Sequence, residues 1–473
     1  MQKFLLSALL ILPLTLNADG LPDLGDVAQT MVSPQMERQI GEQSMFQIRA
    51  SDSYLDDPEL TDYLNRLGDR LVAHSSEPSQ PFEFFVLNDN AINAFALPGG
   101  FIGVNTGLLL LAQNESELAS VLSHEISHVT QHHLARMVSG QKYDSLAAMA
   151  TVAVAILAAR NNPQAATAAI VGAQGGAMQR QLNFTREYEK EADRIGLGIL
   201  EKSGLDTRAM PAFFERLQKA TQIQEGDTPS YLRTHPVTTE RVADVDNRVQ
   251  QLPFHLVPDS LDFQLMRARV HALQKTPQEA QAYFRAALGE QRFGNPIAQR
   301  YGLVLALLRN KQEILATQEF ATLYQHAPRN ASIEALAGQI KRLDKQDKDV
   351  LPFYRNALKQ FPGHHALIYD YAEVLLQEQQ YADALKLLDE QVNQNGNDPR
   401  LYELQARTYA ALGRHQEEHH VLSYYLILHG DLRGAIEQLE LAKRAGNDYY
   451  QLSTIETELK QYYEILGAQK KKK

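Results

Sequence analysis

The string His124-Glu125-Ile126-Ser127-His128 constrains the fold of this 473-residue chain more than any other short segment. Histidines at positions i and i+4 lie one above the other on an α-helix, the spacing that lets both bind one zinc ion. Glu125 is turned about 100° around that helix from His124, where its carboxylate can act on a water molecule at the metal. The string therefore predicts a helix with a metallopeptidase site, which needs a third ligand from elsewhere in the chain.

Residues around the string support a helix. Asn114, with Glu117 three residues later, forms a variant of the capping box, so we predict that the helix begins near Asn114. An apolar stripe at helical spacing follows the cap. Its residues are Leu118, Val121, Leu122, Ile126 and Val129. His124 and His128 lie beside this stripe, which favours a site at the floor of a cleft.

Glu189 and Asp193 are the candidates for the third ligand and for a carboxylate that supports a ligand histidine. They also stand at i and i+4, so that on a helix one can bind zinc while the other accepts a hydrogen bond from a ligand histidine. The competing interpretation is a solvated helix face with basic ion-pair partners, and the HEISH string makes it the weaker one. His132, four residues after His128, is the alternative third ligand. With Glu189 available, we interpret His132 as a solvated histidine.

The chain changes character beyond about Pro258, where short helical patterns alternate without a strand signal. Before that point, β-rich runs cover 82–87 and 101–105, with turn chemistry at 88–90 and 97–100. After it, small residues recur at spacings of twelve and 34 residues, a period typical of tetratricopeptide (TPR) repeats. They include Ala268, Ala280, Gly302, Ala372, Ala384 and Ala406. The pattern predicts an α-solenoid of about four repeats.

The first eighteen residues predict a cleaved secretory signal, and hence a periplasmic location. Lys3 is the basic start, 4–16 is mainly apolar, and Ala18 is a plausible residue before the cleavage site. The chain has no cysteine, which excludes a lipoprotein and a disulfide-stapled secreted domain.

A formal charge of −11 argues against a nucleic-acid partner. Two segments leave a peripheral membrane contact open. The basic run 470–473 is either a solvated tail or a contact to anionic lipid. The apolar runs 146–159 and 165–178 are each too short for a typical membrane span. They predict either buried or lid-forming helices, or a hairpin that touches the membrane surface.

Taken together, these segments resemble the gluzincin peptidases of the HtpX and CAAX-prenyl-protease type. Within that family, the signal, the catalytic region and the C-terminal TPR region resemble a periplasmic subgroup. The resemblance is carried by Asn93-Ala94-Phe95-Ala96, Pro98-Gly99-Gly100, Gly107-Leu108, Glu115-Ser116-Glu117-Leu118-Ala119, His124 to His128 and Glu189 to Asp193.

The resemblance implies a role for each site residue. His124, His128 and Glu189 would bind one Zn²⁺ per chain, with Glu125 as general base. Asp193 would be the carboxylate behind a ligand histidine, and Gly196 would let its helix pack closely on the motif helix.

The family pattern of His-Pro followed by Arg is met by His235, Pro236 and Arg241. Two roles for His235 stay open: a hydrogen-bond donor to the tetrahedral oxyanion, or a fourth zinc ligand that keeps the resting enzyme latent. Arg241 is either catalytic or part of a structural ion pair.

The run Phe101, Ile102, Gly103 and Val104 concerns the substrate. In related metallopeptidases such a strand is an exposed edge to which an extended peptide adds. The alternative is an interior strand without a ligand.

The predicted fold is mainly α with a small β-sheet: an α+β zincin-type metallopeptidase domain followed by an α-solenoid of TPR-like repeats. We predict a signal at 1–18, the peptidase at 19–257, the TPR-like domain at 258–465 and a basic tail at 466–473.

The resemblance implies a periplasmic endopeptidase for misfolded or misassembled envelope proteins, with outer-membrane β-barrel proteins and their assembly machinery as clients and partners. One alternative is a TPR chaperone or assembly factor whose zinc site is latent or structural. Another is a membrane-surface peptidase, which rests on the apolar runs.

Overall fold

The computed structural model describes residues 33–139, 175–223, 230–290, 294–344 and 348–471. The predicted signal, the apolar run 146–159 and the run 165–178 up to residue 174 lie outside these ranges. Within them, no helix combines the length and the apolar character needed to cross a membrane.

The part of the chain before residue 250 folds as helices around one small sheet. In chain order its elements are α1 (Pro34–Arg49), α2 (Pro58–Val72), β1 (Glu83–Leu87), β2 (Ala94–Leu97), β3 (Phe101–Asn105), α3 (Thr106–Leu111), α4 (Glu115–Thr130), α5 (His133–Ser139), α6 (Gly175–Lys202), α7 (Ala209–Ile223), α8 (Ser230–Thr234) and α9 (Thr239–Val249). The mainly helical class with a small sheet is confirmed.

Helix α4 begins where its cap predicts. The Asn114 side chain accepts a hydrogen bond from the Glu117 backbone N–H, and Glu117 in turn accepts one from the Gln113 N–H at 2.8 Å. The predicted apolar stripe is buried, with Leu118, Leu122 and Ile126 fully covered. The cap and the stripe together fix the axis and the rotation of the helix that carries HEISH.

The prediction that Phe101 to Val104 form an exposed edge is wrong. The sheet has the order β1-β3-β2, so β3 is the central strand, parallel to β1 and antiparallel to β2. All five β3 residues are buried. β2 is only four residues long and lies next to the turn signals at 88–90 and 97–100, so the sequence shows too short a run to reveal strand alternation there.

The outer edge of β1 is closed by side-chain and backbone partners. The Asn65 amide donates to the Phe84 carbonyl at 2.9 Å and accepts from the Phe84 N–H at 3.0 Å. Two positions further, the Leu55 N–H donates to the Val86 carbonyl at 3.0 Å. Among the described strands, β2 is therefore the edge with a free side.

Beyond residue 260 the chain is helical in antiparallel pairs. The helices are α10 (Leu261–Gln274), α11 (Pro277–Gly289), α12 (Pro296–Arg309), α13 (Glu313–His326), α14 (Ala331–Leu343), α15 (Val350–Gln360), α16 (His365–Gln377), α17 (Tyr381–Gln394), α18 (Pro399–Ala411), α19 (His415–His429), α20 (Leu432–Ala445) and α21 (Tyr449–Lys471). These twelve described helices make six pairs, more than the four or so predicted.

Small residues let neighbouring helices of the solenoid approach. A Cβ on Gly302 would lie 2.2 Å from the ring of Phe284, and one on Gly338 would lie 2.4 Å from the Tyr354 hydroxyl. Ala280 and Ala384 are fully buried. The predicted spacing of small residues therefore marks true packing positions.

The solenoid packs on the catalytic half instead of hanging free. One continuous apolar core includes Leu60 and Leu64 of α2 together with Phe263 and Val270 of α10. Polar contacts follow the same seam: Arg269 contacts both carboxylate oxygens of Asp57 at 2.8 Å. The first helix of the solenoid therefore belongs to the hydrophobic core of both halves.

Asp62 of α2 caps a solenoid helix across this seam. Its carboxylate accepts from the His365 backbone N–H at 2.9 Å and contacts the His365 ring at 2.5 Å. Helix α16 has no side-chain cap of its own, because the preceding residue is His364. Burial lowers the pKa of His365, but Asp62 outweighs that effect, so the pKa is raised overall.

We expect Asp62→Ala to destabilise the protein by about 1–2 kcal/mol at pH 6, since it removes a cap and an ion-pair partner. A raised folded-state pKa adds stability that is complete below about 6.5 and is lost as the pH rises through the folded value. The difference between wild type and variant should therefore shrink from pH 6 to pH 9 in urea unfolding. Asp69→Ala, an exposed carboxylate of the same helix, is the matched control and should show no such trend. A difference that is constant with pH would contradict the role of the ion pair.

Candidate metal centre

Two helices in close contact carry most of the candidate site. Helix α4 provides His124, Glu125 and His128, and α6 provides Glu189 and Asp193. Both helices pack along the apolar core described above, so the histidines and the carboxylates face each other across their line of contact.

Gly196 sets the distance between these helices. A Cβ at this position would lie 3.1 Å from the His124 backbone nitrogen and 3.1 Å from the Ser123 carbonyl carbon. Such a distance is shorter than nearly all real Cβ contacts, so any larger residue must push the helices apart. The close approach proposed from the resemblance is therefore present in the structure.

His235 reaches the same point from the short helix α8. The Tyr231 N–H donates to the Ile92 carbonyl at 3.0 Å, and the His235 N–H donates to the Tyr231 carbonyl at 2.7 Å. The Tyr231 ring stacks on the His235 ring at 4.8 Å between centroids. These contacts join His235 to the chain segment that leads into β2.

Four side chains converge at this point: His124, His128, Glu189 and His235. One donor atom of each lies within 4.8 Å of all the others. The His124 Nε2 is 3.0 Å from the His128 Nε2 and 3.3 Å from the His235 Nδ1. Glu189 Oε1 is 3.0 Å from the His235 Nδ1. Three imidazole nitrogens and a carboxylate oxygen are a donor set suited to a transition-metal ion.

Glu125 is completely buried beside this cluster. Neither of its carboxylate oxygens has a hydrogen-bond partner among the described residues, and the His235 Nε2 lies 3.6 Å away. Burying a carboxylate without partners is costly, so such a group calls for an explanation beyond packing. Together with the donor set, it shows that the residues present fit a metal-assisted hydrolytic site.

Arg241 holds the two carboxylates of α6 in place. Its Nε and Nη2 each lie 2.7 Å from an oxygen of Asp193, and its Nη1 is 2.8 Å from Glu189 Oε2. The same Nη1 donates to the Pro236 carbonyl at 2.8 Å. Asp193 Oδ1 in turn lies 3.0 Å from the His124 Nδ1. Arg241 is thus a buried ion-pair partner that also fixes the turn after His235.

The surroundings shift the pKa values of the two HEISH histidines in opposite directions. Burial disfavours the imidazolium form of His124, but Asp193 and Glu189 outweigh burial and raise its pKa to about 10. Burial, together with the neighbouring His124 and His235, lowers the pKa of His128 to about 4 against the pull of Glu189. Burial opposes the charge on Asp193 too, yet Arg241 and His124 lower its pKa. This environment attracts a cation, whether a proton or a metal ion.

The interpretation of His132 as solvated is wrong. Helix α4 ends at Thr130, and His132 adopts a positive φ of 49°. Its ring is half-buried between Glu37 and Glu77, 3.2 Å from an oxygen of each. The hydrogen bond that His132 donates to the Glu37 carboxylate is the largest cause that raises the pKa of His132 to about 9.

Sequence reasoning missed His133 and Glu191. The turn at His132 brings the buried His133 ring back to His128, with 2.9 Å between their Nδ1 atoms. Its Nε2 is 3.2 Å from Glu191 Oε2. A spacing of five residues does not place two side chains on one helix face, so helical periodicity could not reveal this contact.

The fold and the site define a metallopeptidase joined to tetratricopeptide repeats. Residues 58–249 match peptidase family M48, and residues 346–408 match a tetratricopeptide repeat.

The relatives are more specific. The chain is 34% identical over 432 residues to the beta-barrel assembly-enhancing protease of Escherichia coli (strain K12), which covers 90% of this chain and 87% of that protein. It is 34% identical over 426 residues to the protein of the same name from Yersinia pestis, covering 88% and 86%. It is also 30% identical over 184 residues to the mitochondrial metalloendopeptidase OMA1 of Schizosaccharomyces pombe, covering 39% and 51%. The chain belongs to the family of beta-barrel assembly-enhancing proteases.

Two glycines of α6 provide a direct test of the helix contact. Gly196→Ala should destabilise the protein by about 1–3 kcal/mol, because a methyl group there forces the helices apart. Gly198→Ala is the matched control: a Cβ at Gly198 meets nothing within 4 Å. That variant should gain up to about 1 kcal/mol from helix propensity.

Urea unfolding and metal content after dialysis would be measured for both variants. Gly196→Ala should also retain less metal, since Glu189 and Asp193 lie on the displaced helix. Equal stability and equal metal retention in the two variants would contradict a contact that sets the site.

Proposed function

We propose that this protein is a periplasmic zinc endopeptidase that degrades misfolded or misassembled envelope proteins, above all outer-membrane β-barrel proteins. The observation that carries the proposal is the buried Glu125, which lies beside the four-donor cluster and has no hydrogen-bond partner among the described residues. The names of the relatives support the class of client. The predicted signal at 1–18, outside the described residues, supports the location.

The donor set supports zinc as the metal. Structural and catalytic Zn²⁺ sites are built from histidine nitrogens, carboxylate oxygens and cysteine sulfurs in fours, with one position left open for catalysis. We assign His124, His128 and Glu189 as the permanent ligands. When bound, a zinc ion supplies Lewis-acid activation of a carbonyl and of water.

Glu125 is the general base in this proposal. Its oxygens are free to take a proton from the attacking water and to pass it to the leaving amine. Asp193 orients His124 through its Nδ1, and Arg241 keeps Asp193 ionised and holds both Asp193 and Glu189 in position.

In this proposal, His235 has one role in the resting state and another in the active state. Its Nδ1 lies within the ligand cluster, which supports the role of fourth ligand in a resting, latent site. A site closed by four protein donors lacks the open position that catalysis needs. Activation would then move His235 away, which requires its stacking on Tyr231 and the contact between Arg241 and Pro236 to loosen. Once displaced, His235 can donate to the oxyanion.

Strand β2 is the proposed substrate edge. The Asn105 N–H donates to the Asn93 carbonyl, so positions 93, 95 and 97 bond to β3 and the backbone groups of Ala94 and Ala96 point away from it. An extended chain that adds here is recognised through its backbone, which suits unfolded clients of any sequence. β2 also packs on α4, next to the metal site.

The solenoid is the proposed docking surface for clients and for the machinery that assembles β-barrels. A polar cleft of about 640 Å³ lies between α1, α2 and β1 on one side and helices α16, α18 and α19 on the other. None of the four cluster residues lines it, so docking there leaves the site clear. A peripheral membrane contact through the runs at 146–178 stays a prediction.

Ala96→Pro tests the edge. Proline removes an N–H that points away from β3, so the sheet keeps its ladder while an added strand loses a donor. We expect at least a tenfold lower kcat/KM on an unfolded protein substrate, with the thermal midpoint and zinc content close to wild type. A variant that cleaves as fast as wild type would rule out strand addition at β2.

Glu125→Gln separates a protease from a TPR chaperone with a latent zinc site, which the four-donor cluster favours as the second candidate. Loss of the general base should lower cleavage of an unfolded protein substrate by a factor of 10² or more, with zinc content unchanged. Glu187→Gln, an exposed carboxylate of α6, is the matched control and should behave as wild type. If Glu125→Gln cleaves the substrate and supports envelope function as well as wild type, the protease proposal fails.

A further inference from the structure

The two HEISH histidines are supported in different ways. His124 has a carboxylate, Asp193, directly behind its Nδ1. His128 has another histidine there, because its Nδ1 lies 2.9 Å from the Nδ1 of His133. A ligand histidine needs a group at its second nitrogen that fixes the tautomer and the ring direction.

The distances assign the protons along this contact. His128 Nε2 faces the cluster, 3.0 Å from the His124 Nε2 and 3.3 Å from Glu189 Oε1, so it must carry the lone pair that a metal ligand uses. Its Nδ1–H then donates to His133 Nδ1. The His133 Nε2–H donates in turn to Glu191 Oε2 at 3.2 Å. A single arrangement of protons therefore satisfies every ring nitrogen of His128 and His133.

His133 sits in a built environment. Its ring is buried, and it stacks on Tyr188 at 4.6 Å with 17° between the planes. The Arg136 guanidinium donates to Glu191 at 3.0 Å and lies over the same tyrosine ring at 4.8 Å. The His133 ring and the Arg136 guanidinium both contact Glu191 and Tyr188. Packing as well as hydrogen bonding therefore fixes the direction of the His133 Nδ1 towards His128.

We propose that His133 is a positioning residue for His128, and that Glu191 completes a histidine–histidine–carboxylate relay behind this ligand. The relay fixes the Nδ1–H tautomer of His128 and so strengthens metal binding. The inference rests on the proposed function, in which His128 is a zinc ligand. His124 is thus supported directly by Asp193 of α6. His128 is supported by His133, which follows the turn after α4.

Zinc affinity at pH 7, measured by competition with a chelator, tests the relay independently of proteolysis. His133→Phe keeps a ring against Tyr188 and removes both nitrogens, and should weaken zinc binding by about 10–100-fold. His133→Asn can place its amide oxygen near the former Nδ1 and accept from His128. It should therefore recover most of the affinity.

His132→Asn is the matched control. It removes the neighbouring half-buried histidine, and asparagine tolerates the positive φ at that position. It should leave zinc affinity unchanged although it loses contacts to Glu37 and Glu77. Unchanged affinity in His133→Phe, or an equal loss in His132→Asn, would overturn the relay.

A measurement on the wild type covers the case in which His133→Phe does not fold. In zinc-loaded protein with ¹⁵N-labelled histidine, His128 should show a protonated Nδ1 that is scalar-coupled to the Nδ1 of His133. A deprotonated His128 Nδ1, or no coupling, overturns the relay. His128→Ala distinguishes the two levels of inference: if it binds zinc as tightly as wild type, the proposed ligand set itself is wrong.

Discussion

The buried guanidinium of Arg241 is the interaction on which the rest of the site depends. It neutralises charge on Asp193 and Glu189, which would otherwise repel each other one helical turn apart, and it binds the Pro236 carbonyl. Helix α6, the turn after His235 and helix α9 therefore meet at one side chain. Three buried carboxylates, those of Glu125, Glu189 and Asp193, still outnumber this single cation. The interior consequently favours a divalent ion among the histidines.

Contacts in the surrounding fold also set the geometry of the site. Gly196 brings two backbones together, the Asn114 cap sets the rotation of α4, and Tyr231 anchors His235 to the segment that enters β2. The solenoid adds rigidity from outside, because α10 shares the apolar core with α2 and Asp62 caps α16. Strain on any of these contacts reaches the donor cluster through helices that cannot bend independently.

Local rules predicted the parts of the site that depend on local geometry. The spacing of His124 and His128, the cap at Asn114 and the pair Glu189 and Asp193 are all features of single helices, and each occurs where the sequence places it. The resemblance added His235 and Arg241, whose sequence separation from α4 no periodicity can bridge. Their position beside the other site residues depends on the tertiary fold.

Other features depend on turns and pairings that the sequence encodes weakly. β2 is too short to show alternation, and its insertion beside β3 moved the free edge away from Phe101 to Val104. A single positive φ at His132 redirected His133 towards a ligand and withdrew His132 from the helix face.

The amide of Asn65 has a further consequence. It occupies both backbone groups of Phe84 and so blocks the outer side of β1 against any added strand. Any unprotected edge of a sheet is a template for pairing with another chain. With this edge sealed, β2 is, among the described strands, the edge that another strand can join, and β2 packs on helix α4. Among the described strands, the sheet thus presents one pairing edge to other chains instead of two.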